Sequence, residues 1–519
     1  MAHYLISWSR RLSGEMPDLC HEPIDARCRG DKFKPLFAAL SWPEAKSVLG
    51  GEVVFPGGDG GFANRRTIPV ALVAPFRGLH YNLAKVPNLT DVVTPPYDVI
   101  KPVERQALAA RSPYNMVHLI LPQALAGDNR LHNRYTRAAA LFQQWLRQEV
   151  LLRDPQPAFY YWETDFEAQG RKRTRTGLAA LVRLEPLSGG AIKPHEQTFS
   201  AVKADRLELF KQARAHFSPI FSLYPDPENL VLGQLRQALP PAPLESFEDT
   251  LGYYQRLYRV TEPAALQAAH QALAGLTLFI ADGHHRYETS LNYQKLLKQQ
   301  YPQAPPQADF NYTLMYLSNI YDPNLVILMA HRLLGGPRVK HLDEAKIVGR
   351  LKEYFEIFSL PAADEFGQAY DDFLQQTLAE VPAAETAFIM LGFGRKAWLL
   401  KLRLGVRQKQ LARQMHPALA QLDVAVLNYL IFEKVLALDA QALDDQETFK
   451  YSSRIDEVVA AVTHRDARMA FILNPTRIEQ VQEVASAGLT MPRKSTYFYP
   501  KVMTGLIMNL INPEEEIFF

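Results

Sequence analysis

Apolar and polar positions along this chain follow two rhythms, one of period two and one near 3.6, after a start that shows neither. Residues 1–66 lack a sustained period, and Gly50–Gly61 places six glycines in twelve positions. That density costs too much backbone entropy for a regular element, so residues 1–66 are expected to form a poorly ordered arm. Ile68–Val73 then reads as a buried strand, and residues 88–100 (NLTDVVTPPYDVI) are held extended by Pro95 and Pro96. Between Asn129 and Glu149, the apolar residues Leu131, Tyr135, Ala138, Ala139, Phe142, Trp145 and Leu146 recur with the spacing of an amphipathic helix. Ala158–Thr164 and Thr176–Arg183 flank a polar turn at Gln169-Gly170 and predict a hairpin. On its second arm Arg171, Lys172, Arg173 and Arg175 read as a solvated strand edge.

Residues 225–247 are rich in proline and read as an irregular insertion or linker. Leu276–Ala281 is a short apolar strand, followed by a helix over 287–299. Residues 310–360 alternate strand and helix signals, and 423–436 (DVAVLNYLIFEKVL) reads as an apolar helix. Strands and helices mixed in this order predict an α+β fold of mixed α/β character. Four regions are expected: the arm at 1–66, an α/β region with the hairpin at 67–188, a core at 189–335 carrying an insertion at about 225–262, and a C-terminal α/β region at 336–519.

Composition narrows the function classes. The chain has 519 residues, and its 57 Lys plus Arg against 55 Asp plus Glu leave a formal charge of +2. That balance argues against a nucleic-acid partner or a polybasic membrane binder. Cys20 and Cys28 are the only cysteines, which argues against a disulfide-built scaffold and against a cysteine nucleophile in the main body. Cys20, His21 and Cys28 lack the fourth ligand of a closed zinc site. No apolar run reaches the length of a membrane-spanning helix, and the apolar stretch in MAHYLISWSRR is too short for a signal peptide. A cytoplasmic protein without a membrane partner is expected; a homodimer is left open.

The most informative stretch is Asp282-Gly283-His284-His285-Arg286, where a buried strand runs straight into a helix. The first N–H groups of a helix have no intrahelical partner, and its macrodipole makes that end positive, so such a turn suits phosphate. Arg286 adds a bidentate fork, and His284 and His285 can donate hydrogen bonds or move protons near neutral pH. Alternatively, Asp282 caps the helix, or Asp282 and His284 with a distant histidine hold a divalent ion. His331 and Arg332 form a second strand-end pair, an anion contact or a local pair. Arg493–Lys501 combines three cations, two hydroxyls and three aromatics, suiting a second phosphate or a nucleobase. Asp205 and Arg206 read as a salt bridge or cap at the start of a helix. Tyr97 and Asp98, on the proline turn, are either a scaffold corner or a pocket wall.

ADGHHRYETS (281–290) resembles the phosphate-binding signature of the ParB/sulfiredoxin-like superfamily, and most of all that of the free serine kinases, which phosphorylate L-serine with a nucleotide. Those enzymes also carry a Pro-His-Glu segment upstream, matched here by Pro194-His195-Glu196. From about Ile68 onward the chain also resembles a prokaryotic domain-of-unknown-function family catalogued as ten-fifteen. The segments carrying that likeness are PFRGLHYN (75–82), VVTPPYDVI (92–100), PHEQT (194–198), ADGHHRYET (281–289), MAHRLL (329–334) and MPRKSTYFYPK (491–501).

The kinase resemblance implies a ParB/sulfiredoxin-like nucleotide-binding core with added N- and C-terminal elements. It implies Glu196, Asp282 and His284 as catalytic groups, and Gly283, His285, Arg286, His195, Arg332 and Lys494 as phosphate or nucleotide contacts. Tyr97, Asp98 and His331 become candidates for the substrate pocket. The partners implied are ATP, ADP or another nucleotide, Mg²⁺ shared with the phosphates through Asp282, and a small hydroxyl-bearing acceptor. Three functions follow: a phosphotransferase acting on a hydroxyl such as that of free L-serine, a ParB-like nucleotide switch with no acceptor, and a metal-dependent phosphohydrolase built on His284, His285 and His331.

Overall fold

The computed structural model describes residues 71–518 apart from 197, 199, 363–368, 393–395 and 446. The expected arm, the Cys20–His21–Cys28 group and the first part of the Ile68–Val73 strand lie outside the described residues.

Strict alternation of side chains builds the larger sheet. Its strands are β1 (Val73–Ala74), β2 (Phe159–Ala168), β3 (Arg171–Arg183), β4 (Ile192–Lys193), β5 (Ile220–Tyr224), β6 (Glu245–Glu248), β7 (Tyr254–Val260), β8 (Leu278–Asp282) and β9 (Tyr312–Asn319). They form a nine-stranded sheet in the order β4-β8-β5-β9-β3-β2-β7-β6, with β1 also on β3. The β4–β8 and β5–β9 pairs are parallel and the rest antiparallel. Tyr160, Trp162, Ala179, Leu181, Phe221 and Tyr316 enter one core. Their neighbours Phe159, Tyr161, Ala180, Val182, Ile220 and Met315 enter another on the opposite face. Period-two strands that are apolar at both parities need cover on both sides. The sheet crosses the expected boundary at residue 188, since β3 pairs with β9.

The helices relevant to the site are α1 (Arg134–Arg147), α2 (Ser200–Ala213), α3 (Leu230–Gln237), α4 (Pro263–Leu273) and α5 (His284–Gln300). Helix α1 begins five residues later than its apolar spacing predicts, because the Asn133 side chain accepts from the N–H groups of Tyr135 and Thr136 and caps it there. The hairpin forms as predicted, with its turn at Gln169-Gly170. Its second arm is a partial correction: Arg171 and Lys172 are exposed, but Arg175 is 1% exposed. Residue 175 shares the inward parity of Ala179 and Leu181, and its guanidinium lies 5.0 Å from the Phe221 ring and 5.2 Å from the Tyr316 ring. It also donates to the Pro500 carbonyl. Residues 225–247 are not irregular, as expected, but hold α3 and most of β6.

A second sheet comprises β10 (His331–Leu334), β11 (Phe355–Leu360), β12 (Ala387–Gly392), β13 (Lys396–Leu402), β14 (Phe449–Ser452) and β15 (Met469–Leu473). It is antiparallel throughout, in the order β11-β13-β12-β15-β10-β14. Phe388, Met390, Leu400 and Phe471 pack from it onto Leu427, Leu430, Ile431 and Phe432. The apolar helix predicted over 423–436 is α-helical only for Asp423–Val426 and continues as a π-helix over Leu427–Val435. Among the described residues no helix is long and apolar enough to cross a membrane.

Candidate functional site

The chain turns from β8 into α5 within one residue. Helix α5 starts at His284, three residues before its predicted start, and its N-cap is Gly283 at φ +93°. Only glycine takes this left-handed conformation without strain, and a Cβ here would lie 2.8 Å from Arg286 Nε. A glycine cap carries no oxygen to accept the helix's first N–H groups, which therefore point out of the turn at the positive end of the dipole.

Asp282 does not cap the helix. Its Oδ2 accepts from Arg286 Nη2 at 2.5 Å, and its Oδ1 accepts from Lys501 Nζ. Burial alone would raise this carboxyl, but Lys501 and then Arg286 outweigh it and hold the group far below the usual carboxylate range. Lys501 Nζ also sits 4.5 Å over the Tyr497 ring. Arg286 is 6% exposed; it donates to the Pro219 carbonyl, while its Nε is buried without an acceptor.

Pro194-His195-Glu196 lies against this turn. The His195 N–H donates to His284 Nε2 at 3.2 Å, and the two imidazoles meet edge to face with centroids 4.7 Å apart. Because His284 Nε2 accepts, that nitrogen carries no proton. Burial lowers the pKa of both histidines, and for His284 the neighbouring His195 lowers it further. His195 Nε2 pairs with Thr496 Oγ1 at 3.0 Å, and the Ile280 backbone lies against the same buried ring.

Glu196 is fixed from the C-terminal segment. It bridges in parallel to Met491, whose N–H donates to the His195 carbonyl at 2.8 Å, and Glu196 Oε1 accepts from the Lys494 N–H at 3.3 Å. Burial lowers the pKa of His285, while the charges of Glu196, Asp98 and Glu288 oppose that and Lys494 adds to it. These four groups therefore share a field with His285. Glu288 is itself held by Thr198 Oγ1 at 2.8 Å and Lys203 Nζ at 2.6 Å. Tyr97 stands under Arg206 with 4.4 Å between guanidinium and ring centroid, and burial raises its hydroxyl. Both line a cavity of about 40 Å³ that Arg286 also borders. Arg206 pairs with Asp205, as expected, but inside α2 and not at its start, which lies at Ser200.

The fold thus gathers Tyr97, Asp98, His195, Glu196, Asp282–Arg286 and Lys494 from four distant segments. His331 and Arg332 lie on β10 instead. His331 Nδ1 accepts from the Leu473 N–H at 3.3 Å, and burial, with help from Arg332, pushes its pKa down to about 4. Arg332 donates to the carbonyls of Ala330 and Arg493. Sequence reasoning noted Thr496 and Lys501 only as part of a cluster and gave them no role. It quoted Thr198 and Glu288 inside motifs without a role and gave none to Lys203, since these residues find their partners more than 80 residues away. Among the described residues no three His, Cys, Asp or Glu side chains cluster as a metal set.

Among solved structures, the chain is similar to a free serine kinase in complex with AMP at 13% identity and a TM-score of 0.31, over 63% of this chain and 90% of that one. A conserved hypothetical protein from Pyrococcus furiosus aligns at 14% identity and a TM-score of 0.27, over 60% and 89% of the two chains. SbnI with C-terminal truncation from Staphylococcus aureus aligns at 10% and 0.28, over 62% and 85%. No curated protein matches the sequence. The profile described as "Protein of unknown function (DUF1015)" matches residues 73–425, more than half of the sequence, and the chain belongs to that family.

Proposed function

We propose that the β8–α5 turn binds the phosphates of ATP, ADP or a related nucleotide, and that the site transfers a phosphoryl group to the hydroxyl of a small molecule such as free L-serine. The observation that carries this reading is the pairing of a glycine-capped helix N-terminus with an immobilised carboxylate, Glu196, whose charge bears on His285 of that same turn. The ParB/sulfiredoxin-like character of residues 189–335 is part of the proposal and rests on the ADGHHRYETS and PHEQT motifs.

In this reading the N–H groups of His284 and His285, with the Lys494 ammonium, face the phosphate oxygens. The acceptor oxygen attacks the terminal phosphorus, its proton passes to Glu196, and the bond from phosphorus to the bridging oxygen breaks to release the shortened nucleotide. Positioning and charge stabilisation dominate such a step, with one base for the hydroxyl. Asp282 serves as a positioning residue, since both of its oxygens are taken by cations. His195 and His284, kept neutral by burial, orient each other. Arg332 and His331 have no part in this step.

A divalent ion suits the remaining donors. Mg²⁺ is usually held by one or two carboxylates together with substrate phosphates rather than by an all-protein cage, and with Glu196 taking the acceptor proton the exposed Asp98 is the carboxylate left open to it. It would supply charge neutralisation on the phosphates.

Phosphorus NMR with ATP or ADP, Mg²⁺ and L-serine tests the proposal. A new phosphomonoester signal that requires serine is expected. Glu196→Gln is expected to lower its rate by roughly 10²–10⁴-fold, the usual worth of a positioned base, while nucleotide still binds. Nucleotide that is bound and unchanged, or hydrolysed without regard to serine, would overturn the transferase reading in favour of a switch or a hydrolase.

A further inference from the structure

The segment that fixes Glu196 has a second face. Beyond residues 490–493 lies a cavity of about 430 Å³. Most of its wall is apolar, including Met415, Leu419, Phe432, Leu443, Phe449 and Met491. One side is formed by the π-helix Leu427–Val435, a winding that recurs at functional sites.

Three charged residues line it, Arg332, Arg493 and Glu433, and of these only Arg332 is buried. Arg332 is 2% exposed. Its guanidinium donates to the Ala330 carbonyl and, at 3.1 Å, to the Arg493 carbonyl, and lies 5.4 Å from the centroid of the Tyr451 ring. Among the described residues no carboxylate pairs with it, although Tyr451 and then the charge of Glu196 bear on it. Glu433 stands at the rim and is exposed. A buried cation answered only by carbonyl dipoles and a ring is costly unless an anion joins it. A guanidinium fork matches a carboxylate, and a pocket of this size and lining suits a small ligand with an apolar body.

We propose that this cavity binds a small amphipathic carboxylic acid, its carboxylate on Arg332 and its hydrocarbon or aromatic body among Phe432, Leu443, Phe449 and Met491. The site is separate from the β8–α5 turn and does not depend on the phosphotransferase reading. It is nonetheless wired to that turn. The Arg493 carbonyl holds Arg332, the Met491 N–H holds His195, and the Lys494 N–H holds Glu196. A ligand seated on Arg332 therefore bears on the backbone that places Glu196.

Isothermal titration of the full chain with octanoate and with 3-phenylpropanoate tests this, with octylamine as the probe of opposite head charge. One-to-one binding of both acids is expected, with octylamine at least tenfold weaker. Arg332→Met, which removes the charge and keeps the bulk, is expected to weaken the acids at least tenfold. Leu443→Trp, which fills the cavity, is expected to abolish their binding. The proposal is overturned if neither acid binds, if octylamine binds as well as octanoate, if Leu443→Trp leaves binding intact, or if ADP displaces the acid competitively. Should Arg332→Met lose its native circular dichroism, Leu443→Trp and the octylamine comparison decide the matter alone.

Discussion

Replacing Gly283 by alanine should be far more damaging than the loss of one hydrogen atom suggests. Gly283 sits at φ +93°, and a Cβ there would stand 2.8 Å from Arg286 Nε and 2.9 Å from Cζ. The left-handed backbone alone costs an L-residue roughly 1–2 kcal/mol. Arg286 cannot swing away cheaply, because it is buried and tied to both Asp282 and the Pro219 carbonyl. Losing one such charge-assisted bond adds about 1.5–3 kcal/mol, for a total of roughly 2.5–5 kcal/mol. Gly275 provides the control: it is also left-handed, at φ +83°, but nothing lies within 4 Å of a Cβ built on it. Urea denaturation of both variants, followed by the fluorescence of buried tryptophans such as Trp162, separates the two contributions. Gly275→Ala should show only the backbone cost, and Gly283→Ala the backbone cost plus the displacement of Arg286. Equal losses would refute the claim that the turn is packed against Arg286.

Lys501→Met leaves Asp282 with one cation instead of two, and because the pair is buried the loss should be about 1.5–3 kcal/mol; a thermal midpoint that does not move would sink this. Lys501→Arg should recover part of it. Away from the site, His80 lies 3.5 Å from Asp154 and 3.4 Å from Glu245, all three buried. Burial would lower its pKa, but the two carboxylates together raise it from 6.5 to about 9. A raised pKa means stability that is fully present below pH 6.5 and lost as pH climbs through 9, about 3 kcal/mol in all. The urea midpoints of wild type and His80→Gln should therefore converge between pH 6.5 and 9.5; a constant gap would show that the histidine is held by packing alone.

What the sequence makes legible is local. The hairpin around Gln169-Gly170, helix α1 and the β8–α5 junction each rest on periodicity and turn chemistry within a dozen residues. The start of α5 was harder to read, because His284, His285 and Arg286 interrupt the apolar rhythm that marks a helix. Residues 225–247 misled because proline content was weighed without position: Pro227 and Pro240 flank α3, and Pro243 precedes β6. Arg175 reads as exposed by its charge, although its parity on β3 points inward. At the site, the motif residues could be named in advance, but their partners could not. Nothing near Asp282 announces Lys501, which lies 219 positions away, and only the folded backbone shows that residues 491–494 hold His195 and Glu196 on one side and Arg332 on the other.

That separation in sequence has a consequence for the order in which the molecule is made. A ribosome that has just delivered Asp282 must still add 219 residues before that carboxylate meets its second cation, which at about 5–20 residues per second takes roughly 10–45 seconds. Through that interval the glycine turn exists without Lys494, Thr496 or Lys501, and Glu196 lacks the segment around Met491 that fixes it. An interrupted translation product would carry the whole signature motif without the residues that hold it in place, so a fully built turn reports that synthesis has run past the 490s.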